Sequence, residues 1–244
     1  QYGVELESLA AIGISAMMAA SADIVVMAED ATLYLSDANG DVSAEAAAKV
    51  GAAHIVEKDA KSAVLRARDI VSMLPLNNIS IAPIAEGTMN PSAASIDGGK
   101  EMNEMAELIC DLGSVTELKA DYGKAAYTAL ASIGGNTVGF VAAKGKLGSK
   151  SSEKIASFVR FCDCFNLAVV SLVDTEGYCC CNELKAQGVS EAAKLAHAYA
   201  DATTAKVTVY VGSAIGAAGV AFGSADIRLA WPTVVISALE PQTA

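Results

Sequence analysis

The sequence predicts a layered α/β fold from three observations. Short apolar runs of strand length alternate with segments whose apolar residues recur at helical spacing. A Gly134-Gly135-Asn136 stretch joins two of those runs, a strong hairpin signal. A glycine- and alanine-rich stretch, Gly212 to Gly219, leads from a strand into a short helix. With 244 residues, 53% hydrophobic and only 18% charged, the chain is large and apolar enough for one big domain or two modest ones, and too apolar for disorder. Aromatic residues are only 5% and alanine is abundant, so elements pack closely on small side chains.

Gly13 opens a short buried helix through Ala20, followed by strands at Ile24 to Met27 and Thr32 to Leu35, divided by the polar pair Glu29-Asp30. Asp59 caps an amphipathic helix with Ala60, Ala63, Val64, Ala67, Val71 and Leu74 on one face, and Pro75 ends it. From Leu76 to Gly99 the chain holds two of its five prolines and no periodicity, which reads as a linker between two halves. Met102, Met105, Ala106 and Ile109 then mark a helix whose methionine stripe reads as core filler, with Gly113 expected as its C-cap.

In the second half, Tyr127 to Ile133 and Thr137 to Ala143 form the hairpin, and Ser151 to Phe165 is helical. Leu167 to Val173 is continuously apolar, as a strand covered on both faces requires. A helix from about Ser190 to Asp201 and a strand from Val207 to Val211 complete the layer. Each half carries a glycine-opened, alanine-rich short helix, then an acid and a strand: Asp23 before Ile24, Asp226 before Ile227. This is a weak internal repeat.

Several classes are disfavoured. A net charge of −11 without a basic stripe argues against nucleic acid. The longest apolar stretches, Ala10 to Ala28 and Val207 to Ala225, are interrupted by Asp23 or laced with Gly and Ser, so no spanning helix is expected. Glu5 and Glu7 stand where a signal peptide has basic residues. Six unevenly spaced cysteines, with Cys179, Cys180 and Cys181 consecutive, form no disulfide framework and read as reduced thiols of a cytoplasmic protein. Adjacent cysteines converge poorly on one tetrahedral ion, so no metal is expected.

Side-chain catalysis has little support. His54 reads as a packed residue beside a strand and His197 as a structural residue in mid-helix. No Gly-x-Ser-x-Gly elbow occurs. The Gly212 to Gly219 stretch matches neither a P-loop nor a dinucleotide fingerprint. Two readings stay open for it: tight helix packing, or backbone N–H groups at a helix start aimed at a developing oxyanion.

Longer motifs narrow the field. Ala156 to Asn166, with its Phe161-Cys162-Asp163-Cys164-Phe165-Asn166 ending, runs into a buried strand closed by Asp174. This resembles the C-terminal half of biotin-dependent acyl-CoA carboxyltransferases. Asp201 to Val209 is similar to that family's Ala-Thr-x-x-Lys-Val lead-in, and Ala230-Trp231-Pro232-Thr233 to its Ala-Trp-Pro signature. Gly134 to Gly139 is similar to the hairpin opening the second domain; Gly13 to Asp23 and Val71 to Pro75 resemble segments of the N-terminal domain.

The resemblance implies two crotonase-like domains: a partial N-terminal one over 1–76, a linker with helix over 77–113, and a C-terminal one over 114–244. It implies transfer of a carboxyl group between carboxybiotin, carried on a separate biotin carboxyl carrier protein, and a short acyl-CoA of the propionyl-CoA/methylmalonyl-CoA kind. By position, Gly13 and Ile14 match the backbone pair that polarises the thioester carbonyl. Ala217 and Ala218 match the pair that holds the ureido oxygen of biotin, with Gly216 as the turn and Gly219 and Val220 on the substrate side. Homo-oligomers with sites at subunit interfaces are implied, and for some members association with a membrane decarboxylase subunit.

Three departures stand out. The family usually has glycine at Ile14 and Ala217 and an aromatic at Gly219, and Val220 matches a position linked to acyl choice. The loop after Asp174 differs. The opening strands and first Gly-Gly segment of the N-terminal domain have no counterpart, so a truncated member and a compact paralogue both fit. A non-catalytic carboxylase subunit, or another crotonase-like acyl-CoA enzyme with Glu176 as its acid/base, are the alternatives.

Overall fold

The computed structural model describes residues 4–7, 10–36, 40–92, 99–179 and 186–239, without the side chains of 4–7, 186 and 187. Two compact units emerge: residues 1–73 with 117–122, and 74–116 with 123–244. They differ from the expected boundaries in two respects, the first being that residues 117–122, expected in the C-terminal domain, group with the first unit. The 77–113 stretch belongs to the second unit, where Ile84 bridges Asn136 and Met89 bridges Asp111. It looked like a linker because its backbone is held by isolated bridges, which leave no periodic trace.

The first unit holds a parallel sheet β1(Val4–Glu7)-β3(Ile24–Ala28)-β5(Ile55–Glu57), in the order β1-β3-β5. A separate parallel pair joins β2(Ala10–Ile12) to β4(Thr32–Tyr34). The two strands predicted in succession, β3 and β4, therefore sit in different sheets. β3 is buried at every position. Helix α1(Ile14–Ala20) precedes it, and α3(Ala60–Met73) packs on it. Asp59 starts α3 as expected, its Oδ1 accepting the Ser62 N–H at 2.7 Å. Between them lies α2(Ala44–Lys49), capped by Ser43, whose Oγ accepts the Ala46 N–H at 3.2 Å. Its buried face is all alanine, joined to Val25, Met27 and Ala53 in one small core.

The second unit is a sheet sandwiched between helices. β6(Thr116–Leu118), β7(Ala126–Ile133), β8(Asn136–Leu147), β9(Ala168–Tyr178), β10(Lys206–Ile215) and β11(Ile227–Ala230) follow the spatial order β11-β10-β9-β8-β7-β6, and β12(Val235–Ser237) also pairs with β10. Only β7 and β8 are described as antiparallel; β8 to β11 run parallel. Pairing of Ile133 with Asn136 leaves a two-residue turn, Gly134 at φ +59° and Gly135 at φ +81°, conformations that favour glycine.

Alternation along β8 builds the two layers. Val138, Phe140 and Ala142 join Met105 and Ala106 of α4(Met102–Ile109) in one core, with Met102, Ile109 and Trp231 packed against it. The methionine stripe is thus core filler. Helix α4 ends on extended Cys110, not at Gly113, which takes φ +72° in the following turn. On the opposite face α5(Ser149–Cys164) presses close: a Cβ at Gly139 would lie 2.3 Å from Cys162 Sγ. Helices α6(Ala186–Asp201) and α7(Gly216–Ala221) share this side; the Tyr199 and Phe222 rings meet at 5.1 Å, and the Tyr199 hydroxyl is 2.7 Å from Ser171 Oγ. Strand β10 runs on to Ile215, so Gly212 and Ser213 are strand residues, not part of a turn.

The internal repeat is more regular than the sequence suggested. With one constant offset, Val4 corresponds to Val207, Gly13 to Gly216, Asp23 to Asp226 and Ile24 to Ile227. The strand registers obey the same offset: Val4 pairs with Ile24 as Val207 pairs with Ile227, and Ala10 with Thr32 as Ser213 with Val235. Each unit thus contains strand, glycine, short helix, and two further parallel strands.

Candidate active site

Both glycines that end the repeated strand are held at positive φ, Gly13 at +63° and Gly216 at +60°. That conformation reverses the chain directly into the helix and suits a residue without Cβ. Helix α1 begins with Met17 N–H donating to Gly13 O at 3.0 Å. Neither α1 nor α7 has a side-chain cap. Their first-turn N–H groups therefore have no intrahelical acceptor, and the helix dipole makes them suited to a developing negative oxygen.

Gly13 itself is not among the available donors, which corrects the expected Gly13–Ile14 pair. Its N–H is consumed by Tyr34 O at 3.0 Å, an extension of the β2–β4 ladder. The amides left at this tip are those of Ile14 and Ser15, and under the repeat these correspond to Ala217 and Ala218. Ser15 is held in place by its own hydroxyl, 3.0 Å from both Ile12 N and Ile12 O. Ile14 is 74% exposed, whereas Ala218 is fully buried.

In the second unit a cavity of about 630 Å³ opens beside α7, in the range of small-molecule sites. Gly216, Gly219 and Val220 line it, together with Tyr210, Arg228 and Ile236 among others. Gly219 must be glycine for packing reasons: a Cβ there would meet the Ala214 carbonyl carbon at 2.7 Å. Ala217 and Ala218 do not line the cavity themselves; they follow Gly216 in the first turn. Among these residues the sequence reading missed Arg228 and Tyr210. The repeat would have flagged Arg228, because its counterpart is the apolar Val25.

The other candidates have structural positions. His54 is half-buried; its Nδ1 accepts the Val25 N–H at 3.1 Å, and burial together with the Lys119 charge pushes its pKa down to about 3. His197 is exposed on α6, with Nδ1 3.9 Å from Asp201 Oδ2. Glu176 is exposed on β9 and does not line the cavity. Cys110 and Cys162 are buried free thiols, and burial raises both above the usual thiol range, Cys110 to about 12. Cys180 and Cys181 lie outside the described residues; among the described ones no three His, Cys, Asp or Glu side chains cluster as metal ligands.

The motif residues turn out to fasten loops. Asp163 Oδ1 accepts the Thr203 N–H at 2.7 Å, the Thr204 N–H at 2.9 Å and the Thr203 hydroxyl at 3.1 Å. Asn166, at φ +53°, ends α5 in the left-handed conformation that asparagine tolerates, and the Leu167 N–H returns to Cys162 O at 2.9 Å. Asp174 Oδ1 accepts the Ser213 N–H at 2.7 Å, across a gap that only glycine at 212 leaves open: a Cβ there would lie 2.2 Å from that oxygen. Trp231 extends β11 by donating to Tyr210 O at 3.0 Å.

This architecture of repeated strand-glycine-helix units is the crotonase-like fold. The carboxyl transferase domain model matches residues 9–244, and the chain belongs to that family. It is similar to the propionyl-CoA carboxylase beta chain of Saccharopolyspora erythraea, 33% identical over 80% of this chain and 41% of that protein. It is also similar to the methylmalonyl-CoA carboxyltransferase 12S subunit of Propionibacterium freudenreichii subsp. shermanii, 33% identical over 78% of this chain and 40% of that one. A crystal structure of a transcarboxylase 12S hexamer, with hydrolysed methylmalonyl-coenzyme A bound, superposes with a TM-score of 0.85 and 30% identity over 94% of this chain and 52% of that one. The chain spans about two fifths of the length of these curated relatives. No helix among the described residues is long and apolar enough to cross a membrane.

Proposed function

We propose that this chain transfers a carboxyl group between carboxybiotin and a short acyl-CoA of the propionyl-CoA/methylmalonyl-CoA kind. The observation that carries the reading is the pair of equivalent helix starts, each opened by a positive-φ glycine and neither side-chain capped. Family membership supports it, as do relatives named for acyl-CoA carboxylation and transcarboxylation.

The mechanism asks little of side chains. At the first tip the amides of Ile14 and Ser15 hold the thioester carbonyl oxygen and stabilise the negative charge it gains as the neighbouring carbon is activated. At the second, Ala217 and Ala218 offer two amides to the ureido oxygen. The α7 cavity fits such groups: Gly216 leaves space beside the helix start, and Val220 and Ile236 give an apolar wall. Carboxybiotin supplies an activated carboxyl group when bound. Donors fixed in the backbone need no reorganisation as charge develops, which is where this kind of catalysis gains its advantage.

The biotin is carried on a separate biotin carboxyl carrier protein, and the protein acts as a homo-oligomer with sites at subunit interfaces; one relative is a hexamer in its crystal structure. Association with a membrane decarboxylase subunit is a further proposed arrangement, since one relative is the methylmalonyl-CoA decarboxylase subunit alpha of Propionigenium modestum. The cytoplasm is the proposed compartment, on the free thiols of Cys110 and Cys162. The test is transfer from free carboxybiotin to propionyl-CoA, with methylmalonyl-CoA as the product expected. Acyl-CoA binding without transfer would instead assign a structural subunit.

A further inference from the structure

Strand β10 breaks its register opposite Asp174 of β9. The two strands pair regularly from Lys206 with Val169 to Tyr210 with Val173, then resume at Ala214 with Thr175. Three residues, Val211 to Ser213, thus face the single Asp174, an irregularity of the kind that re-aims a strand. The outer neighbour changes over the same interval: β10 pairs with β11 up to Tyr210 and with β12 from Ser213. In the first unit the corresponding stretch is divided into β1 and β2, which belong to different sheets. In the second it stays one strand, and the Asp174 carboxylate fills the break. Its Oδ1 accepts the Ser213 N–H at 2.7 Å, in the space over Gly212 where a Cβ would lie 2.9 Å from Oδ2 as well. The next residue pins the opposite side of β9: Thr175 Oγ1 donates to Gly145 O at 3.0 Å, where β8 and β9 also slip register. Beyond Ser213 the strand runs only to Ile215 before Gly216 opens α7.

We propose that Asp174 is a positioning residue: by clamping Ser213 it fixes the direction in which β10 leaves the break, and so where the amides of Ala217 and Ala218 point. Within the carboxyl-transfer reading, on which this role rests, those amides hold the ureido oxygen of biotin. Asp174 acts on them through the strand, without touching the substrate. A carboxylate suits the task, because a charged acceptor binds a backbone N–H about twice as strongly as a neutral one. Small displacements matter here, since a shift of about 1 Å in a reacting geometry can cost about 10²-fold in rate.

The test compares wild type with Asp174→Ala and Asp174→Asn. Three quantities are measured: transfer from free carboxybiotin to propionyl-CoA, propionyl-CoA binding by calorimetry, and amide exchange by mass spectrometry. Asp174→Ala should lower kcat at least about tenfold. Propionyl-CoA should still bind with unchanged affinity and full stoichiometry, because the thioester meets the other helix start. Asp174→Asn keeps an oxygen for the Ser213 N–H and should recover most of the rate. Exchange should quicken over residues 213–222 in Asp174→Ala and stay as in wild type over α1, Ile14–Ala20. Wild-type kcat in folded Asp174→Ala, or an Asp174→Asn as slow as Asp174→Ala, overturns the role. A loss of binding stoichiometry counts as failure to fold, and Gly212→Ala, which pushes the carboxylate off Ser213, then decides. The same selective loss of kcat upholds the role, and wild-type kcat refutes it. If wild type transfers nothing, the carboxyl-transfer reading fails by itself. Exchange alone then decides whether Asp174 positions α7: faster exchange confined to 213–222 upholds it, and unchanged exchange refutes it.

Discussion

Gly13 and Gly216 occupy one structural position twice. Both close a strand paired in parallel with a strand that begins at the same distance along the chain, both take φ near +60°, and both open a short helix. In each case a Cβ would find only one carbonyl oxygen nearby, Leu35 O at 3.5 Å or Ala238 O at 3.8 Å. The requirement for glycine here is conformational and not steric.

Gly216→Ala is therefore expected to lower stability by only about 1–2 kcal/mol, the cost of a left-handed alanine. Gly135→Ala should cost more, because its φ is +81° and its Cβ would meet Ala85 O at 2.1 Å. Thermal melts of the two variants compare them; equal losses would contradict the distinction.

Ala217→Pro removes a first-turn N–H at a position where proline fits a helix start. Transfer should fall by about 2.7–4 kcal/mol of barrier stabilisation, the value of one oxyanion donor. The measurement is single-turnover transfer with unchanged circular dichroism. Unchanged turnover in a folded variant would remove α7 from the mechanism.

Asp111 holds the β7–β8 turn. Its Oδ1 accepts the Gly134 N–H at 3.1 Å; its Oδ2 accepts the Gly135 N–H at 2.8 Å and the Ser132 hydroxyl at 2.7 Å. The Gly135 bond, followed by those of Ser132 and Gly134, lowers its pKa below the ordinary 3.8. A depressed carboxylate contributes stability above its unfolded pKa and loses it as pH falls through the folded value. Asp111→Ala should destabilise by about 1.5–3 kcal/mol at neutral pH, and less below pH 3. Urea titrations at the two pH values check this.

His54 gives a second acid dependence. It is neutral in the fold down to about pH 3, while an unfolded histidine takes up a proton near 6.5. Stability is therefore complete above 6.5 and declines as pH falls from there toward 3. His54→Gln should flatten that decline while lowering stability at pH 7, because a glutamine oxygen replaces the Nδ1 acceptor for Val25 imperfectly. An unaltered pH profile would show that His54 titrates normally.

Much of the second unit was legible because its signals are strong and local: the paired glycines of a hairpin, a methionine stripe, an unbroken apolar strand. Helix α2 was invisible because its buried residues are all alanine, which gives helical periodicity no contrast. The assignment of β3 and β4 to different sheets was also out of reach, since an apolar run reveals a strand but not its partner. Gly212 misled for a physical reason: it serves close approach of the Asp174 carboxylate within a strand, and a glycine needed for space looks the same as one needed for a turn. At the site, the helix starts were readable, but the loss of Gly13 to the Tyr34 carbonyl was not. That bond depends on where β4 lies.

Under the proposed mechanism the polar apparatus lies in the main chain, which separates two tasks that most enzymes must optimise together. Exchange of Val220, which lines the α7 cavity, for a larger or smaller side chain would resize the space beside that helix start without moving its amides. Preference among acyl groups can then drift through evolution, or be redesigned, while the electrostatics of the reaction stay put.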